Sequence, residues 1–202
     1  MAAFPVRLAG DVRSVLAVLP AAEFPPVRPF QVLVQGEPVT IPGRIYHDEP
    51  DVGAERSLTG TQRLILDCLY SRSSDGRVRQ RRLEQLVGSG EPWVAPFVVQ
   101  LAGEYVVEIL ESIRRGLPGL DVPGSPQREM YGDCLSRNAS FSARTERRLV
   151  SYWSCYYRAK FPVFGTYPGS ALAEAFRAAA AEHAGVAWPR QTPRPPRSGL
   201  GG

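Results

Sequence analysis

Lysine, histidine and cysteine are scarce in this chain of 202 residues. Lys160 is the single lysine among 24 basic residues, the histidines are His47 and His183, and the cysteines are Cys68, Cys134 and Cys155. Each scarcity excludes something. Carboxylate metal sites in helical proteins bring histidine at Glu-x-x-His spacing, and neither histidine has that spacing. Three scattered cysteines without Cys-x-x-Cys do not make a disulfide framework and fit a reducing cytoplasm. Long apolar runs are missing as well. The uncharged run from Pro92 to Gly103 falls short of the ~20 residues that a bilayer span needs, and the N-terminus has no signal-peptide core. The chain reads as soluble and cytoplasmic, with no membrane partner.

Catalytic signatures are absent too. No phosphate-binding glycine loop, dinucleotide glycine fingerprint, Gly-x-Ser-x-Gly or His-Glu-x-x-His occurs. No cofactor is implied, and the reading leans away from an enzyme. What remains is an ordinary globular composition, 44% hydrophobic with mean hydropathy −0.18. Glycine and proline, 19 of each, cluster between elements. The net charge of +4 permits nucleic-acid or acidic partners without demanding them.

The organising stretch is Glu91 to Leu117, EPWVAPFVVQLAGEYVVEILESIRRGL. It is expected to form one long central helix, with Pro92 in the first turn and Gly116 and Pro118 as stop signals. Apolar residues surround most of its wheel, and Gln100, Glu104, Glu108 and Glu111 form a narrow polar stripe. A helix this apolar is normally buried, so other elements must wrap it. The expected architecture is α+β, mostly helical, with helices around the 91–117 helix and a small N-terminal antiparallel meander.

Along the chain, Asp11 to Leu19 suggests a short helix. Phe30 to His47 suggests three short strands, with a hairpin turn at Gly36-Glu37. His47, Asp48, Glu49 and Asp51 resemble a ligand cluster by type, but such a run is more often a solvated loop. Thr59 and Gln62 match a capping box at the head of a nearly all-apolar helix ending near Ser71. Arg77 to Val87 follows as a helix, 117–139 as a long loop, 142–160 as an amphipathic helix, and Ala171 to His183 as an alanine-rich one. Residues 1–56 and 57–186 together make one domain. Residues 187–202, rich in proline, glycine and arginine, are expected to be a disordered tail.

Two groups of residues are candidates for function. Arg77, Arg79, Arg81 and Arg82 are the densest positive patch. They form either a phosphate- or acid-binding surface or the partners of a buried polar network including Asp67, Glu104 and Glu108. Arg144, Arg148 and Arg158 flank the aromatic face of the 142–160 helix. Arginine interleaved with aromatics can stack bases and hold phosphates, but such a face is more often core packing with Tyr hydroxyls and Arg stems at the boundary, and core packing is the favoured reading.

Three functions compete. The favoured one is a non-enzymatic helical interaction module with a protein partner. The alternative is a helix-turn-helix-like DNA-binding protein acting through the Arg77–Arg82 helix, since SLTGTQRLILDCLYSR followed by GRVRQRRLEQLV resembles the first two helices of winged-helix regulators. The next helix, however, presents almost no polar side chain for base edges. A small enzyme or metal protein without a recognisable motif is the third. DNA binding predicts exposed arginines at 77–82, and the structural alternative predicts them paired to Glu104, Glu108 or Asp67. Over IPGRIYHDEP, LTGTQRLILDCLYSR, DGRVRQRRLEQLV, EPWVAPFVVQLAGEYVVEIL and SYWSCYYR the chain resembles a group of bacterial proteins of about this length, a resemblance that implies no activity, cofactor or binding site.

Overall fold

Local signals place most of the helix starts. In the computed structural model, which describes residues 3–193, Thr59 and Gln62 close the reciprocal capping box that opens α3 (Gly60–Tyr70). The Asp75 side chain accepts from the Arg77 N–H and opens α4 (Gly76–Leu86). Asp51 does the same for a short α2 (Val52–Arg56) in the stretch expected to be loop. Ahead of these come α1 (Ala9–Val18) and a hairpin of β1 (Phe30–Val34) and β2 (Glu37–Ile41). Behind them follow α5 (Ala95–Ala102), α6 (Val107–Gly116), α7 (Pro126–Arg137), α8 (Ala139–Tyr152) and α9 (Pro168–Ala184). The fold is α+β and mostly helical. Among the described residues no helix is long and apolar enough to cross a membrane.

The hairpin pairs Phe30 with Ile41 and Val34 with Glu37, which moves the two-residue turn from Gly36-Glu37 to Gln35-Gly36. Both turn residues have positive φ, the twist-matched form for a tight hairpin. Phe30, Val32 and Val34 point into the core, while Gln31 and Leu33 face outward. The expected third strand does not join this sheet. Ile45 instead exchanges backbone bonds with the end of α3, donating to Arg72 O and accepting from Ser74 N.

The long central helix is broken. All eight residues of α5 are buried, but the chain leaves the helix at Gly103 and re-enters it at Val107. Two forces act at the break. Glu104 is fully buried (0% exposed) and its carboxylate must reach charged partners on other elements, which a regular helical path would not require. Tyr157 then holds the opened backbone, its hydroxyl accepting from Val107 N (3.3 Å) and donating to Tyr105 O (2.6 Å). Pro96 falls in the first turn of α5, where a missing N–H removes no helical hydrogen bond.

Two further expectations fail. The 117–139 stretch is not a loop: Ser125 caps α7 by accepting from Arg128 N, with Pro126 at its first position. The helix then packs backbone to backbone on α9, so close that a Cβ at Gly132 would lie 2.6 Å from Ala179 O. Residues 187–193, expected to belong to the tail, are instead tied to the body. Trp188 packs on the core, Gln191 N donates to Glu146 (2.8 Å), and Thr192 is buried beside Arg177. Residues 194–202 of the expected tail lie outside the described residues. At its other end α8 runs into a π turn, Trp153–Tyr157. Trp153 is buried there and Tyr156 is turned outward.

Candidate functional site

The four arginines of α4 divide by helical face. Arg77 and Arg81 are exposed, whereas Arg79 and Arg82 are buried. Arg82 sits among three carboxylates: Glu55 (2.6 Å), Glu49 (2.7 Å) and Asp67 (2.9 Å). Its guanidinium also lies over the Tyr70 ring at 5.5 Å. Arg81 pairs with Glu49 at the rim. The Arg82 hydrogen bond holds Glu55 below its ordinary value. Burial raises Glu49, but the Arg81 and Arg82 bonds bring the net below ordinary. Asp67 goes the other way, pushed up to about 6 because burial outweighs its share of Arg82. Arg82 itself is held firmly protonated by the three acids, against its own burial. Asp67 thus moves opposite to Glu49 and Glu55, and one cause accounts for it. Arg82 is divided among three anions, Glu49 has Arg81 as well, and the deepest anion is compensated least.

A second network is built on Glu104, with the reverse stoichiometry. Its carboxylate accepts from Arg44 (2.6 Å) and Arg72 (3.4 Å), with Arg79 and Arg148 both at 3.9 Å. Arg72 is entirely buried, and its other donors go to the carbonyls of Gly43, Ser71 and Pro42. Arg79 donates to Ser73 O and Ser74 O. Burial pushes the Glu104 carboxyl up, but the Arg44 bond and the charges of Arg72, Arg44 and Arg79 win, leaving it below the ordinary carboxylate value. Burial pulls Arg72 down from its ordinary value, with Glu104 opposing. Four cations on one anion leave a local positive excess that only further anions can balance.

That excess faces a cavity of about 320 Å³ lined by Arg28, Arg44, Arg144, Arg148, Phe30, Gly43, Gln100 and Tyr152. It lies between the start of β1, the turn after β2, α5 and α8. No carboxylate is in its wall. Arg28 and Arg144 form no ion pair among the described residues, and Arg144 lies over the Phe30 and Phe141 rings at 5.2 and 5.7 Å. Burial and the charges of Arg148 and Arg147 lower the Arg144 pKa, the direction expected where like charges crowd. Gln100, on the inner side of α5, contributes a neutral amide to the wall. Backbone geometry supports the wall. Arg28 has φ +48°, a left-handed conformation that non-glycine residues rarely adopt. Gly43 passes so near it that a Cβ would lie 2.4 Å from Arg28 O.

The remaining candidates lie elsewhere. Glu108 is exposed on α6 and forms no ion pair among the described residues. Arg158 is exposed, over the Trp153 ring, and does not line the cavity. Cys68 and Cys134 are buried, with burial raising both thiols, and Cys155 is exposed. His47 bonds Pro20 O, Asp51 caps α2 and Glu49 meets the arginines. No group of three or more His, Cys, Asp or Glu among the described residues is placed to hold a metal ion. A larger cavity of about 490 Å³ opens beside Trp153, Phe164 and Ser170, but its charged residues, Glu174 and Arg190, satisfy each other.

Sequence reasoning placed Arg144 and Arg148 on a candidate surface and missed Arg28, Arg44, Arg72 and Gln100. Only the Pro42-Gly43-Arg44 turn was a signal, because a turn beside an arginine brings a charge to a backbone corner. Compared with known proteins, the chain matches no family model, no curated protein and no solved structure.

Proposed function

We propose that this protein is a non-enzymatic binding module whose ligand is a phosphate-bearing anion, held in the pocket of Arg28, Arg44, Arg144 and Arg148. The observation that carries this is the composition of the wall: four arginines, no carboxylate, and the neutral amide of Gln100. Guanidiniums match phosphate oxygens in shape and charge. Glu104 supports the site from behind by fixing Arg44 and Arg148 in place while leaving their charge unneutralised overall. The one hydroxyl in the wall, Tyr152, has no carboxylate or histidine of the lining beside it to act as its base, which favours binding over chemistry. DNA recognition through α4 is a weaker reading, because two of its four arginines are engaged inside the protein.

The test is calorimetric titration with inorganic pyrophosphate, in parallel with the Arg144→Ala protein. Arg144 is exposed and outside both ion-pair networks, so the fold tolerates its loss. Saturable binding, weakened at least tenfold in the variant, supports the proposal. Absence of binding at low ionic strength, or equal binding by the variant, overturns it.

A further inference from the structure

One wall of the cavity is continuous with a cluster of three tyrosines. Tyr152 belongs to its wall, and the Arg148 guanidinium lies over the Tyr152 ring at 5.7 Å. From Tyr152 the ring centroids continue to Tyr105 at 6.1 Å and Tyr156 at 6.1 Å, and those two are 6.3 Å apart. Tyr105 is 49% and Tyr156 68% exposed. Large rings left in water need a reason when they adjoin one another and a charged cavity.

Both rings are carried on irregular backbone. Tyr105 sits in the break between α5 and α6, and Tyr156 in the π turn that follows α8. Such π turns often mark functional positions. The neighbouring Tyr157 hydroxyl bridges the break at Tyr105 O and Val107 N, so one side chain couples the two irregularities. The result is a cluster of three tyrosine rings, inclined 34–61° to one another, that begins at the wall of the arginine pocket.

We infer that the ligand is a single-stranded nucleic acid. One phosphate enters the arginine pocket, and adjoining bases stack on Tyr105 and Tyr156. This rests on the phosphate-pocket reading above and adds the class of molecule that carries the phosphate. Stacking of unpaired bases on aromatic rings beside a basic groove is sequence-tolerant and characteristic of single strands. A duplex buries its base faces and offers only edges and phosphates. The pocket is concave, and no helix stands over it to enter a groove.

The experiment is fluorescence anisotropy of a short labelled oligothymidylate at two salt concentrations, beside the pyrophosphate titration. The proteins are wild type, Tyr156→Ala and Arg144→Ala. Wild type is expected to bind, with affinity falling with salt by a log–log slope of about −0.7 per phosphate neutralised. Tyr156→Ala is expected to weaken oligonucleotide binding about 5- to 150-fold and leave pyrophosphate binding unchanged. Arg144→Ala is expected to weaken both. Pyrophosphate bound without any oligonucleotide overturns the single-strand inference and leaves the phosphate pocket standing. Neither ligand bound overturns both. Oligonucleotide bound equally well by wild type and Tyr156→Ala, or a duplex bound more tightly than the single strand, overturns the stacking platform. Polyglutamate bound in place of the oligonucleotide overturns it in favour of an acidic protein partner.

Discussion

Replacing Glu104 by glutamine keeps the shape of the side chain and removes one negative charge at the centre of the molecule. Four guanidiniums then face one another with no anion between them: Arg44 and Arg72, which now bond the carboxylate at 2.6 and 3.4 Å, and Arg79 and Arg148 at 3.9 Å. At ~4 Å a unit pair is worth about 4 kcal/mol in a medium of effective dielectric 20. The gross attraction is therefore large, and the cost of burying Glu104 offsets much of it. The net consequence of removing one partner from a buried pair is about 3–5 kcal/mol. Arg72 has no access to water and cannot be re-solvated in place, which puts Glu104→Gln in that range. The assay is urea unfolding, with the midpoint lowered and the m-value unchanged. The sign with pH follows from linkage. The folded carboxyl titrates below its ordinary value of 4.5, so its contribution is complete above that value and disappears as pH falls through the lower, folded one. The gap between wild type and variant is therefore constant at neutral pH and closes in acid. Adding Arg72→Met should recover part of the loss. A gap below about 1 kcal/mol at pH 7, or a double variant no better than the single, would refute the reasoning.

The other network predicts a contrast. Asp67→Asn should cost far less than Glu104→Gln at pH 7, because the ionised carboxylate is already disfavoured. Its folded pKa is raised to about 6 from 3.8, so wild-type stability gains as pH falls through that interval, and the variant should lose this gain in urea titrations at pH 4 to 7. Arg82→Ala strands three carboxylates, two of them about a third exposed, and should cost about 3 kcal/mol, the low end for a broken buried pair. Arg81→Ala, at the exposed rim, should stay within about 1 kcal/mol. Gly43→Ala sets a Cβ against a carbonyl oxygen, not a movable side chain. It should cost about 1–3 kcal/mol and weaken pyrophosphate binding, because Arg28 must shift. Thr59→Ala removes the capping box of α3 and should lower stability by about 1 kcal/mol without affecting ligand binding.

The parts legible in the amino-acid order were those whose causes lie within a few residues of one another. Thr59 with Gln62, Asp75 ahead of Gly76, and the alternation of Phe30, Val32 and Val34 each specify a cap or a strand face through contacts one turn or one pleat away. Such signals survive in any tertiary setting, so α3, α4 and the hairpin could be read directly. The Ser125-Pro126 start of α7 was local too, but it was lost among the surrounding glycines and prolines.

The placement of the charges and of the irregular backbone was settled by packing between distant elements. Arg44 meets Glu104 across 60 residues, and Asn138 bonds Leu33 across 105. No periodicity announces such pairs. Whether a guanidinium in a run of arginines faces water or a carboxylate depends on which element closes over it. For α4 the answer alternates around the helix, with Arg77 and Arg81 out and Arg79 and Arg82 in. The break at Gly103–Val106 follows the same logic. Apolar patterning calls for one continuous helix, but a carboxylate buried among arginines from four other segments outweighs the helical hydrogen bonds of a few residues. That choice opens the backbone, exposes Tyr105, and sets the arginine pocket beside the tyrosines. Hydrophobic pattern and capping set which segments form helices and strands, because they act locally. The ion pairs and the site are consequences of long-range closure, because a charge's free energy depends on everything that surrounds it in space.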